Sequence, residues 1–250
     1  MSLVRAVIFD KDGVLVDFQR TWTPALRAAA MELCDGDEAC ALELLRRAGF
    51  DEETGRFLPG SVWAAGTNAE LVEAWAEGRS RREREALVSW MNRHCAAVTP
   101  VPLVPVERMR AALEALRHRG LALALVSNDA EASVRSTVRH FGLEGLFDFL
   151  CGFDSVARPK PAADPVLAFS RLCGVAPAQM AVVGDNDHDG RMARAADCAA
   201  FIGVLSGTSG RRQLEPLADH LVPDMAAACA LLAQGTGAGP GPIDARPARL

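Results

Sequence analysis

Residues 3–15, Leu3-Val4-Arg5-Ala6-Val7-Ile8-Phe9-Asp10-Lys11-Asp12-Gly13-Val14-Leu15, pass from a short apolar run into two aspartates and a glycine. An apolar, β-rich run of this length reads as a buried strand, and Gly13 marks the tight loop that follows it. Asp10 and Asp12 therefore stand at the carboxyl end of that strand. The design recurs downstream. Leu121 to Val126 predicts a strand running into Ser127-Asn128-Asp129, a shorter strand covers about 147–151, Met180 to Val183 runs into Gly184-Asp185, and Ala199 to Ile202 predicts another. Helices are expected over 106–119 with Gly120 as a natural stop, over 130–141, over 163–173, from Asp185 to Ala196, and over 224–233. Continuous apolar strands separated by helices give an α/β fold with a parallel sheet covered on both faces. Such sheets carry their chemistry at the carboxyl ends of their strands.

Residues 17–104 read differently. Leu26, Ala29, Ala30 and Leu33, and again Leu71, Val72 and Trp75, recur at helical spacing, with turn-like breaks near 34–37, 49–66 and 78–80. No strand is evident, so this stretch is expected to be an all-helical insertion. It closes at Thr99-Pro100-Val101-Pro102-Leu103-Val104-Pro105, which cannot continue a helix and reads as an extended linker. Arg79, Arg81, Arg82 and Arg84 are interleaved with Glu83 and Glu85, the pattern of a solvated helix face. The Gly/Pro/Ala-rich tail 235–250 is expected to be disordered.

Composition sets limits on function. Half of the 250 residues are hydrophobic, enough for a sizeable core, and a net charge of -5 without a basic patch argues against a nucleic-acid partner. No apolar stretch reaches the roughly 18 residues of a membrane span, and no cleavable signal pattern is evident, so a cytoplasmic protein with no membrane partner is expected. Seven cysteines, at 34, 40, 95, 151, 173, 198 and 229, include no CxxC pair. They suggest neither a zinc site nor a disulfide framework, and a reduced chain with small buried thiols is expected. Lys11 and Lys160 are the only two lysines; every other basic side chain is Arg. In so biased a chain each lysine raises the question of whether a compact ammonium is required there. Lys11 is expected to point sideways from the strand end, as a structural residue or a solvent gate.

Several polar strand termini on one sheet edge define a candidate site: Asp10 and Asp12, Ser127 and Asn128, Asp185 and Asp189, with Lys160 inside Arg158-Pro159-Lys160-Pro161. Asp10, Asp185 and Asp189 are hard oxygen donors suited to Mg²⁺, which would also relieve their mutual repulsion. A carboxylate in line with phosphorus can act as a nucleophile, and Asp12 can protonate a leaving alkoxide and then deprotonate water. Ser127, Asn128 and Lys160 can hold the phosphoryl oxygens and stabilise the charge that shifts during transfer. Asp187 is expected to cap the helix that starts there, and His188 to lie in a loop without a catalytic part.

The residues Phe9-Asp10-Lys11-Asp12-Gly13-Val14-Leu15 resemble the DxDGT/V motif of the haloacid dehalogenase-like hydrolase superfamily. Ser127-Asn128 resembles its second motif, Lys160 its third, and Gly184-Asp185-Asn186-Asp187-His188-Asp189 its GDxxxD motif. The resemblance implies a Rossmann-like core over 1–16 and 105–234 and a helical cap domain over 17–104. It also implies that Mg²⁺ is held by Asp10, Asp185, the backbone carbonyl of Asp12 and Asp189, the last largely through water or by orienting Lys160. Two departures stand out: Val14 replaces the commoner Thr, and Ala196-Asp197 stands where many relatives have Ala-Gly, a change expected to affect the loop beside the site.

Within that superfamily, Asp12 is the acid that dehalogenases and phosphonate-cleaving members lack. Phosphonate cleavage also needs a cap lysine, and residues 17–104 contain none. P-type transport is excluded by the missing spans. The expected activity is phosphatase action on a small organic phosphomonoester through an aspartyl-phosphate on Asp10. The resemblance to phosphoglycolate phosphatase-like members makes 2-phosphoglycolate the leading substrate. A sugar phosphomutase and a catalytically silent binding protein are the alternatives. Trp22, Arg56, Trp63 and Thr67 are the cap candidates for substrate choice, and the chain is expected to be a monomer or homodimer.

Overall fold

The computed structural model describes residues 4–235; the tail expected to be disordered lies outside them except for Gly235. Strand β1 (Ala6–Asp10) is buried along its whole length. Val7 and Phe9 face one core, shared with Met109 and Leu113 of α6 (Val106–His118) and Val134 of α7 (Glu131–His140). Ala6 and Ile8 face the other, shared with Phe169 of α8 (Asp164–Cys173) and Met192 of α9 (Asp187–Ala195). A strand with helices on both sides has no polar face, which is why its sequence does not alternate.

Strands β4 (Ala122–Val126), β5 (Phe149–Cys151), β6 (Met180–Gly184), β7 (Ala200–Val204) and β8 (His220–Val222) complete a parallel sheet in the order β5-β4-β1-β6-β7-β8. The winding direction reverses between β1 and β6, and α/β sheets bind ligands in the crevice at such a switch point. Register aims the termini at it. Asp10 pairs with Val126 and Phe9 with Val183, so Asp10, Ser127 and Asp185 fall along one edge. The expected strands and helices of this half are present within three residues of their expected bounds. The short, half-buried β8 and the one-turn helix α10 (Arg211–Leu214) escape the sequence reading, being too short to show periodicity. Helix α11 (Met225–Gly235) is the last element of the described residues.

Between β1 and α6 lie α1 (Phe18–Leu33), α2 (Glu38–Arg47), α3 (Val62–Ala65), α4 (Asn68–Trp75) and α5 (Arg81–Ala97). They pack around a core of their own that includes Trp22, Leu26, Leu45, Phe57, Leu71 and Met91. The segment is not all-helical: β2 (Phe50–Asp51) and β3 (Arg56–Phe57) form an antiparallel hairpin, closed by Asp51 accepting hydrogen bonds from the Glu53 N–H and the Thr54 hydroxyl. Two-residue strands cannot be read from alternation. The outgoing and returning chains run side by side, with Asp17 N–H donating to the Val101 carbonyl (2.8 Å) and Leu103 N–H to the Leu15 carbonyl (2.9 Å).

The expectation of a wholly reduced chain is corrected by a disulfide between Cys34 and Cys40. Asp35 and Gly36 both take positive φ and turn the end of α1 back on the first turn of α2, bringing together two thiols that their separation in sequence did not mark as a pair. Cys95, Cys151 and Cys229 are buried free thiols. No helix among the described residues is long and apolar enough to cross a membrane.

Candidate active site

Lys160 is buried between two carboxylates. Its Nζ donates to Asp10 Oδ1 (2.7 Å) and to Asp189 Oδ1 (2.8 Å). The loop that carries it is tied to the β4 terminus by Asn128 Nδ2, which donates to the Lys160 carbonyl (3.2 Å). Burial opposes the ammonium, but Asp10 and Asp189 together outweigh it and hold the Lys160 pKa above the ordinary lysine value.

Asp185, just past β6, accepts from the Thr208 N–H (2.6 Å) and hydroxyl (3.1 Å). It sits against backbone. A Cβ on Gly13, whose φ is +76, would fall 2.4 Å from Asp185 Oδ2, and one on Gly207 would fall 1.9 Å from the same atom. Both positions therefore exclude any larger residue. Asp189 is fixed from its own helix, its Oδ2 accepting from the Asn186 N–H (3.2 Å). Asn186 is the N-cap residue of α9, and Asp187 is its first helical residue, paired with Arg191 (2.8 Å). Asp187 is thus not the cap that its sequence position suggested.

Carboxylate oxygens of Asp10, Asp185 and Asp189 lie within 4.8 Å of one another, and all three residues are buried. Burial, then the charge of Asp189, raises the Asp10 pKa to about 6 despite Lys160. Burial, then Asp10 and Asp189, pushes Asp185 well above the usual carboxylate range. Lys160 alone does not balance three carboxylates at this spacing. The set is short of positive charge, rigid and built of hard oxygen donors, which fits Mg²⁺.

Asp12 is held differently. Its Oδ2 lies 2.8 Å from Lys11 Nζ, and its Oδ1 accepts from the indole N–H of Trp22 on α1. Burial raises its pKa to about 6, against the pull of Lys11 and with the push of Asp129 and Asp10. Lys11 is no solvent gate: it is fully buried, 2.6 Å from Asp129 Oδ2, with its ammonium 4.6 Å from the centre of the Trp22 ring.

Above these groups is a cavity of about 50 Å³ lined by Asp10, Asp12, Ser127, Asn128, Lys160 and residues of the inserted segment. Trp22 and Trp63 meet edge to face there, with ring centres 5.8 Å apart. The buried Nε1 of Trp63 has no hydrogen-bond partner among the described residues. His188 also lines the cavity, and burial lowers its pKa. The two other cap candidates lie elsewhere. Arg56 is exposed on β3, and Thr67 caps α4, its hydroxyl accepting from the Glu70 N–H (3.2 Å).

The sequence shows no role for Asp129 and Asn68, which line the cavity, or for Thr208, which holds Asp185, and marks Lys11 only as structural or a gate. The scarcity of lysine was the signal for Lys11, and Thr208 follows the carboxyl end of β7. Asn68 was not legible, because only folding brings α4 over the sheet edge. Asp197 is a correction too. It takes φ 54, the left-handed region favoured by glycine. It lies at the opposite edge from the site, where Ala199 N–H donates to Met180 at the start of β6.

Known proteins are similar to this chain in sequence and fold. Residues 4–197 match the model of the haloacid dehalogenase-like hydrolase family. The chain is 26% identical over 229 residues to a phosphoglycolate phosphatase of Thiobacillus denitrificans, covering 92% of this chain and 96% of that protein. It is 30% identical over 202 residues to a phosphoglycolate phosphatase of Chromobacterium violaceum, covering 79% and 84%. Its fold matches that of a β-phosphoglucomutase from Clostridium difficile with a TM-score of 0.65 at 16% identity, over 93% of this chain and 98% of that one. The switch-point carboxylates, the buried Lys160 and the family match over most of the chain agree, and the chain belongs to the haloacid dehalogenase-like hydrolase family.

Proposed function

We propose that this hydrolase is a magnesium-dependent phosphomonoesterase that uses Asp10 as its nucleophile. The observation that carries the reading is the Asp10–Lys160–Asp189 chain beside Asp185, with a second carboxylate, Asp12, opening on the same cavity. Asp10, Asp185, Asp189 and the carbonyl of Asp12 would hold Mg²⁺, which supplies Lewis-acid stabilisation of phosphoryl oxygens. An Asp10 oxygen bonds to phosphorus as the bond to the ester oxygen breaks, and Asp12 gives its proton to that leaving oxygen. Asp12 then takes a proton from water as the water oxygen attacks phosphorus and frees Asp10. Ser127, Asn128 and Lys160 orient the phosphoryl group, and residues 17–104 act as a cap over the core.

The names of the phosphoglycolate phosphatase relatives make 2-phosphoglycolate the leading candidate. The deciding experiment is phosphate release from a panel of 2-phosphoglycolate, sugar phosphates and nucleotides, with and without Mg²⁺, against Asp10→Asn. Magnesium-dependent release that the variant loses supports the reading. Release that survives in the variant overturns the nucleophile, and no release from any ester turns attention to sugar phosphate isomerisation.

A further inference from the structure

Lys11 is the unexpected residue of this site. A fully buried ammonium needs a reason, because desolvation of a charge costs several kcal/mol unless its partners compensate. Its partners are Asp129 Oδ2 at 2.6 Å and Asp12 Oδ2 at 2.8 Å, with the Trp22 ring over it. Asp129 is itself anchored, Ser133 Oγ donating to the same Oδ2 (3.1 Å). The ammonium is therefore located by two elements, the loop after β1 and the start of α7. It touches none of the carboxylates grouped around Lys160 and makes its one functional contact with Asp12.

We propose that Lys11 is a positioning residue for the acid–base carboxylate, and that Asp129 is the counter-charge that allows an ammonium to be buried there. The proposal rests on the reading of Asp12 as the proton donor to the leaving group. Lys11 anchors one oxygen of Asp12 and Trp22 the other, which fixes the plane of the carboxylate against the cavity wall. Each oxygen retains a second lone-pair direction for the leaving oxygen. Without Lys11 one oxygen of Asp12 loses its anchor, and the carboxylate is free to turn away from the line of proton transfer.

The test compares two esters in three variants. 2-Phosphoglycolate has a poor leaving group that needs a proton; p-nitrophenyl phosphate has a good one that does not. Asp12→Ala calibrates the acid role. Its kcat/KM, which reports the steps through loss of the leaving group, should fall about 100-fold or more for the poor leaving group and far less for the good one, whereas kcat also carries the loss of base catalysis common to both. Lys11→Met should reproduce that leaving-group selectivity in kcat/KM. The double variant K11M/D129L removes both buried charges together, which is often neutral for stability where removing one alone is not. It should keep the leaving-group selectivity even if Lys11→Met alone fails to fold. Equal loss on both esters in the double variant, or full recovery of 2-phosphoglycolate turnover, would show that Lys11 only balances Asp129 and overturn the proposal. If Asp12→Ala itself shows no leaving-group selectivity, the acid reading falls, and the proposal with it.

Discussion

Ion pairs are built in two ways in this molecule, and the contrast separates the sheet edge from the inserted helices. At the sheet edge Lys160 and Lys11 are buried, and each clamps two aspartates. On the insertion the cations are arginines at the surface, such as Arg84 with Glu73 (2.6 Å) and Arg81 with Glu85 (2.8 Å). A compact ammonium can serve two carboxylates in a confined space, whereas a guanidinium needs room for its fork. Exposed pairs are screened and gain little, while removing one member of a buried pair leaves an uncompensated charge. The same chemistry thus does local work in one region and almost none in the other.

The sharpest way to break that contrast is Asp10→Asn, which keeps the shape and removes the proposed nucleophile. Turnover should fall on the order of 10⁴-fold or more, measured by phosphate release, while the circular dichroism spectrum stays that of the parent. A near-normal rate would remove the sheet edge from the chemistry. Next comes Asp185→Asn. In the parent, Mg²⁺ at about 100 times its Kd should stabilise the fold by about 2.7 kcal/mol, and the variant should lose most of that gain in thermal melts.

A third effect depends on pH in chelator-treated protein. Asp10 and Asp12 have folded pKa values raised to about 6 from 3.8, so the folded state binds more protons than the unfolded state between those values. Their contribution favours the fold at low pH and is lost as pH rises from about 4 to about 6. Melting curves across that window should show the decline, Mg²⁺ at pH 7 should recover stability, and Asp12→Asn should flatten the slope. The smallest effect is expected from Arg84→Ala on the insertion, which should change stability by no more than about 1 kcal/mol in denaturant titrations. A larger loss would mean that the two regions are not so different.

The same division governs what could be read before folding. Strand termini are legible because a short apolar run ending in Asp or Ser states both the element and the edge at which its polar residue sits. Asp10, Ser127 and Asp185 were placed on one edge in this way, and register explains why they meet. Lys160 was marked by scarcity and flanking prolines. The insertion offered only helical spacing, which says which face is buried and nothing of what that face meets. Trp22 and Trp63 therefore line the cavity while Arg56 and Thr67 do not, and no pattern in the sequence separates them. The Cys34–Cys40 bond and the β2–β3 hairpin depend on turns of a few residues, below the range in which periodicity carries information.

The confinement of lysine to the site has a practical consequence. Lys11 is inaccessible and Lys160 is 7% exposed, so the described surface carries no lysine amine. Acylating reagents that decorate most proteins everywhere would here find side-chain targets only when the catalytic edge opens. Incorporation of such a label at Lys160 would then clock that opening, and its suppression by a bound phosphate ester would report occupancy without any need for turnover.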